Sequence, residues 1–269
     1  MRMRGMPRGS PFLPLFCALV ATAWATLWLW EASPYGRYLD HGNWTQVGLA
    51  AHICRVLPAG ELVFPAALYA AGWTLMIAAM MLPTTLPLLR IFQKLTAPRP
   101  DRGRLLGLLV LGYLAAWMAF GLLAHGLDFA LHELAAGSLW LTLNGWALGA
   151  LVLALAGAFQ FSALKYRCLD KCRTPLSFVM QRWRGKAERR HAFMLGVEHG
   201  LFCVGCCWAL MLLMFVVGTG SVGWMLVLGA VMAAEKNLSW GRRLSTPLGV
   251  LLIAWAGVVF LSRGQLGLV

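Results

Sequence analysis

Polar residues divide the chain into seven apolar runs, at about 12–30, 63–89, 105–126, 139–163, 193–217, 221–237 and 246–262. Crossing a hydrocarbon core about 30 Å thick takes roughly 20 helical residues. A helix also satisfies its own backbone donors and acceptors, as that solvent demands. The pattern therefore predicts an all-α, polytopic transmembrane bundle of about seven spans, with residues 1–269 as a single integral membrane domain. The sixth run is short and bears Gly223 and Gly229. The longest polar breaks, Glu31 to Leu62 and Leu164 to Ala192, are too small to bury cores of their own. Basic residues precede the first run, as in a secretory signal, but that run continues through Trp24, Trp28 and Trp30. Its length favours a retained span over a cleaved leader.

Composition agrees: 60% of residues are hydrophobic and 12% charged. The net charge of +13 would suggest a nucleic-acid partner were it not for where the cations fall. All of the 23 Lys and Arg residues except Arg37, Arg55 and Arg263 lie in segments 2–8, 90–104, 165–190 and 236–243. With seven spans and a cytoplasmic N-terminus, those segments share one side, as the positive-inside rule requires. The partner implied is the lipid bilayer, with no nucleic acid, and the C-terminus falls outside.

Against this apolar background the run from Phe193 to Val217 carries His199, Cys203, Cys206 and Cys207. At 3.6 residues per turn, 199, 203 and 206 share a face, and 203, 207, 211 and 214 form an adjoining stripe of Cys, Cys, Met and Met. Thiolate, imidazole and thioether ligands suit a soft ion, copper as Cu(I) ahead of zinc. Cysteine also packs as a small hydrophobe and Met fills gaps, so spacing alone leaves packing open as an explanation. Glu198 lies either at membrane depth, where an uncompensated carboxylate costs roughly 2.5–3.5 kcal/mol on the mildest scale, or near enough to the helix start to reach the interface.

The second run places Met76, Met80 and Met81 ahead of Pro83 and Pro87, which should kink or end the helix near Leu82. Counted from their cytoplasmic ends at ~1.5 Å per residue, these methionines lie at the depth of the cysteines. Beyond the fourth run, Cys168 and Cys172 share a helical face, flanked by Lys165, Arg167, Lys171 and Arg173, cations that favour a thiolate. On the opposite side His125, Asp128 and His132 follow an i, i+3, i+7 pattern, and His41, His52 and Cys54 occupy the first loop. These residues form a second, weaker candidate metal site.

Ala79 to Pro83, the Cys-Leu-x-x-Cys-Arg-x-Pro segment at Cys168 to Pro175, and Gly200 to Met211 with its Gly-Cys-Cys-Trp core, followed by Glu235 and Lys236, form a set. Together they resemble a bacterial family of predicted metal-binding integral membrane proteins, from about Trp73 to Gly257. The resemblance implies a multi-pass protein of the bacterial inner membrane with a bound metal and no assigned activity. On both lines Cys168 and Cys172 capture or deliver the ion at the cytoplasmic mouth. Cys203, Cys206 and Cys207 form the inner site, with His199, Met76, Met80 and Met81 as further ligands and Glu198 and Glu235 as charge compensation or proton partners. The function expected is transport, delivery or homeostasis of a soft transition metal, with a metallochaperone or metalloenzyme as partner. A membrane thiol-disulfide oxidoreductase and a metal-free structural subunit are the alternatives. No HExxH, outward Ser and His pairing or ATP-binding motif occurs, so nothing in the chain points to hydrolysis.

Overall fold

A computed structural model describes residues 12–33, 63–138, 140, 144–183, 188–217 and 221–264. Among the described residues there are ten α-helices and no strand. They are α1 (Phe12–Glu31), α2 (Val63–Met80), α3 (Leu86–Leu95), α4 (Arg102–Ala136), α5 (Gly145–Phe159), α6 (Ala163–Arg173), α7 (Pro175–Arg182), α8 (Glu188–Val217), α9 (Val222–Asn237) and α10 (Ser245–Gly264). Short 3-10 turns at Pro83–Thr85 and Gly241–Leu244 precede α3 and α10.

Four helices are long and apolar enough to cross a membrane: α1, α4, α8, and α10 together with its preceding turn. The number rises to six if two bent pairs each count as one span, α2 with α3 at 44° and α5 with α6 at 63°. The remaining expected crossing, 221–237, is α9, whose 16 residues reach about 24 Å at 1.5 Å per residue. Elsewhere the helices outrun the apolar runs, because backbone pairing continues through polar residues. Thus α4 extends to Ala136, and α8 begins at Glu188.

Both bends have local causes. Pro83 lacks a donor and starts the 3-10 turn, and Pro87 stands in the first turn of α3. Side chains add to the backbone bonds at this turn: Thr84 Oγ1 donates to Met81 O at 2.7 Å and Thr85 Oγ1 to Leu82 O at 2.7 Å. Tyr113 of α4 adds a third donor to Met81 O at 3.3 Å. Side-chain donors of this kind help a broken helix persist in an apolar surround. At the second bend Ser162 is extended, and its hydroxyl accepts from Lys165 N at 3.1 Å, capping α6.

The long central helix α8 packs against α4, α5, α6 and α9. Its seam with α4 is made of small residues. A Cβ at Gly196 would strike the Leu109 carbonyl, and one at Gly112 the Phe193 carbonyl. The two backbones therefore approach more closely than any side chain at Gly112 or Gly196 would permit. That register brings Tyr113 and Trp117 of α4 into the core beside Cys203, Cys206, Cys207, Met211 and Met214. From the other side, α2 is tied to α4 by Trp73 Nε1 donating to Trp117 O and Tyr69 OH to Gly121 O, each at 3.0 Å.

Candidate metal centre

The sulfur cluster grows from one turn of α8. Cys203, Cys206 and Cys207 are each 1% exposed. Two of the thiols fold back on the helix, Cys207 Sγ donating to Cys203 O at 2.9 Å and Cys206 Sγ to the same carbonyl at 3.1 Å. Cys203 itself points outward to the neighbouring helices. Its sulfur lies 3.1 Å from Tyr113 OH and receives a hydrogen bond from Lys236 Nζ at 2.9 Å.

Lys236 is the organising cation. From the last turn of α9 its ammonium reaches Cys203 Sγ, Cys207 Sγ at 3.7 Å and Met81 Sδ at 3.8 Å, with Thr84 Oγ1 at 3.5 Å. Cys207 Sγ and Met81 Sδ stand 3.9 Å apart. Three sulfurs from two helices thus surround one point at which a positive charge is already held. An ammonium is the electrostatic complement of a thiolate, so Lys236 and these sulfurs are matched partners.

Around this point the other expected ligands are arranged unequally. Cys172 of α6 packs against the core that holds Cys203, Cys206 and Cys207. Cys168, one turn earlier, lies against Gly205, where a Cβ would come within 2.7 Å of its sulfur. His199 is 3% exposed, between the rings of Tyr113 and Phe178, and its Nδ1 has no hydrogen-bond partner. Met76 is buried in the same core, whereas Met80 packs against Gly229 of α9. Every described cysteine is a free thiol.

The two carboxylates are engaged elsewhere. Glu198, with its side chain 43% exposed, pairs with Arg182. Glu235 turns to α6, where Lys165 Nζ meets both of its oxygens at 2.7 and 2.9 Å and Ser245 Oγ donates at 2.7 Å. Gln160 also accepts from Lys165, and Arg173 donates to Glu235 O, clamping α6 to α9. The cations flanking Cys168 and Cys172 are therefore not the charges that serve the thiols. Lys165 and Arg173 hold Glu235, and Arg167 and Lys171 face outward.

On the opposite side His125 stacks on Tyr69 at 4.1 Å, and Asp128 is 8% exposed. His41, His52, Cys54 and the His132 side chain lie outside the described residues. Among the described residues no three His, Cys, Asp or Glu side chains converge as a closed metal cage. The geometry gives the reason: two thiols face the Cys203 carbonyl, the third donor is a thioether, and Lys236 stands among them.

The donor chemistry suits a soft monovalent ion, since two thiols and a thioether are the ligand types such ions select. His199, buried with an unpaired nitrogen, is a further polar atom in need of a partner. The sequence itself decides the affiliation: residues 70–259 match the copper chaperone family PpoB2. The chain belongs to this copper chaperone family. No curated protein and no solved structure matches it. The matched region runs from α2 through most of α10 and so contains every helix that builds the sulfur pocket. Membership gives the protein a copper-related function.

Sequence reasoning missed Lys236, Tyr113 and Thr84 as members of this centre. Lys236 was visible as a cation at the end of an apolar run, but it read as a membrane-surface charge. Tyr113, a hydroxyl in the middle of an apolar run, was a signal available and unused.

Proposed function

We propose that this protein is a multi-pass inner-membrane protein that holds Cu(I) as cargo and passes it to an acceptor metalloprotein. Cys203, Cys207 and Met81 are the primary donors in this reading. Cys206, Cys172 and His199 form a second tier through which the ion enters or leaves, with Cys168 behind them. The observation that carries the proposal is the convergence of Cys203 Sγ, Cys207 Sγ and Met81 Sδ within 4 Å of one buried cationic point. Membership of a copper chaperone family supports the choice of metal. Donor softness alone would also admit zinc.

The test is anaerobic Cu(I) loading of the detergent-purified chain, followed by elemental analysis of wild type and a Cys203→Ser, Cys207→Ser double variant. Wild type is expected to retain about one equivalent under a competing chelator. The double variant should lose affinity by at least about a hundredfold, since each tenfold is 1.4 kcal/mol and two strong ligands are removed. Equal retention by the two proteins would sink the assignment.

A further inference from the structure

A pocket of sulfur donors in an apolar bundle has no need of a lysine for packing. Yet Lys236 is 6% exposed and directs its ammonium into the donor set. Its charge has no offsetting carboxylate there. Among the described residues the buried carboxylates are Glu235 and Asp128. Glu235 is occupied by Lys165 in a pair that is 2% and 0% exposed. Asp128 lies fifteen residues beyond Tyr113 on α4, about 22 Å away along the axis. The ammonium's partners inside this low-dielectric surround are therefore the sulfurs themselves.

We propose that Lys236 is the specificity-determining residue of this pocket, a tethered monocation that admits a soft monovalent ion and penalises a divalent one. The inference rests on the sulfur-pocket reading above and adds what the donors cannot supply. Thiolates bind Zn(II) as well as Cu(I). Coulomb repulsion, in contrast, scales with the charge of the incoming ion, so a dication meets twice the opposition of a monocation at the same distance. Met81 contributes a neutral donor where a third thiolate would have offset the extra charge. Thr84 Oγ1, at 3.5 Å, gives the ammonium an acceptor to which it shifts when the ion arrives. When the ion leaves, the same ammonium returns to the sulfurs, so the emptied donors keep a partner.

The experiment compares full-length, anaerobically purified wild type with Lys236→Met and Lys236→Arg. Cu(I) affinity is read by competition with bicinchoninate, and Zn(II) affinity by competition with a chelating zinc dye. Removing the charge in Lys236→Met should move the Zn(II)-to-Cu(I) affinity ratio toward zinc by roughly tenfold or more, while Lys236→Arg stays within about threefold of wild type. Circular dichroism and elution volume report folding. If Met disturbs the fold, Lys236→Gln carries the same expectation with a polar, uncharged side chain. A ratio unmoved in a folded, metal-binding Lys236→Met or Lys236→Gln protein would overturn the role of Lys236 and leave the sulfur pocket standing. Failure of folded wild type to bind either ion would overturn the pocket, and this inference with it.

Discussion

Cys203 shows how the pocket divides its work among single atoms. Its sulfur takes a hydrogen bond from Lys236 of α9 and lies beside the Tyr113 hydroxyl of α4, while its own carbonyl receives the thiols of Cys206 and Cys207. Tyr113 is the neutral member of that set, and its hydroxyl spans Cys203 Sγ and Met81 O. Tyr113→Phe removes both contacts but leaves each partner satisfied, Met81 O by Thr84 and Cys203 by Lys236. The expected cost is therefore only about 1 kcal/mol in unfolding measurements in detergent. Cu(I) affinity should fall by less than about tenfold. A loss as large as that of the cysteine double variant would make Tyr113 part of the ion's own binding set, not a positioning residue. At this scale the cysteines were legible in the sequence, because soft ligands stand out in an apolar run. Lys236 was not. A lysine at the end of such a run reads identically whether its stem carries the charge outward to water or inward to a partner. Glu235 and Lys236 are neighbours separated by about 100° around the helix. Only the packing of α9 between α6 and the Pro83 turn decides which of them meets the sulfurs.

Among the elements, the α4 and α8 seam sets the register on which the pocket depends. Gly112 and Gly196 each face an opposing carbonyl with no room for a Cβ. Gly196→Leu should therefore push the helices apart and move Tyr113 away from Cys203. The cost expected is that of forced overpacking, about 1–3 kcal/mol or more, read as a lower melting temperature in detergent. It should come with faster maleimide labelling of Cys203, Cys206 and Cys207. Gly223→Leu, at a position with open space around it, should change neither. Labelling rates equal in the two variants would refute the seam's role. The bend after α2 was legible because Pro83 and Pro87 announce themselves. The break after α5 was not, since Phe159, Gln160, Phe161 and Ser162 continue an apolar run without a proline. There the Ser162 cap and the Lys165 to Glu235 pair, both dependent on the packed fold, turn the chain by 63°.

For the whole molecule, the architecture turns on α9. Its 16 residues reach about 24 Å, short of a 30 Å hydrocarbon core, yet modest thinning or snorkelling flanks accommodate such a mismatch. If α9 crosses, seven spans put the two termini on opposite sides. If it does not, six spans put them together. The charge pattern favours the first, although less strongly than the sequence suggested. Lys165 and Lys236 are buried partners of Glu235 and the sulfurs, so two of the cations that appeared to mark a membrane face do not report on it. The expectation rests instead on exposed cations such as Arg90, Lys94, Arg102, Arg104 and Arg243. Fusions of alkaline phosphatase, active only outside the cytoplasm, and of a fluorescent protein that matures inside, distinguish the two cases. The expected result is phosphatase activity at the C-terminus and fluorescence at the N-terminus. Fluorescence at both ends would establish an even number of spans, as in the six-span case with α9 as a half-crossing element. Its Lys236 end would then be a plug beside the sulfur pocket, and the route by which cargo reaches Cys203 would open from the side that α9 leaves uncovered.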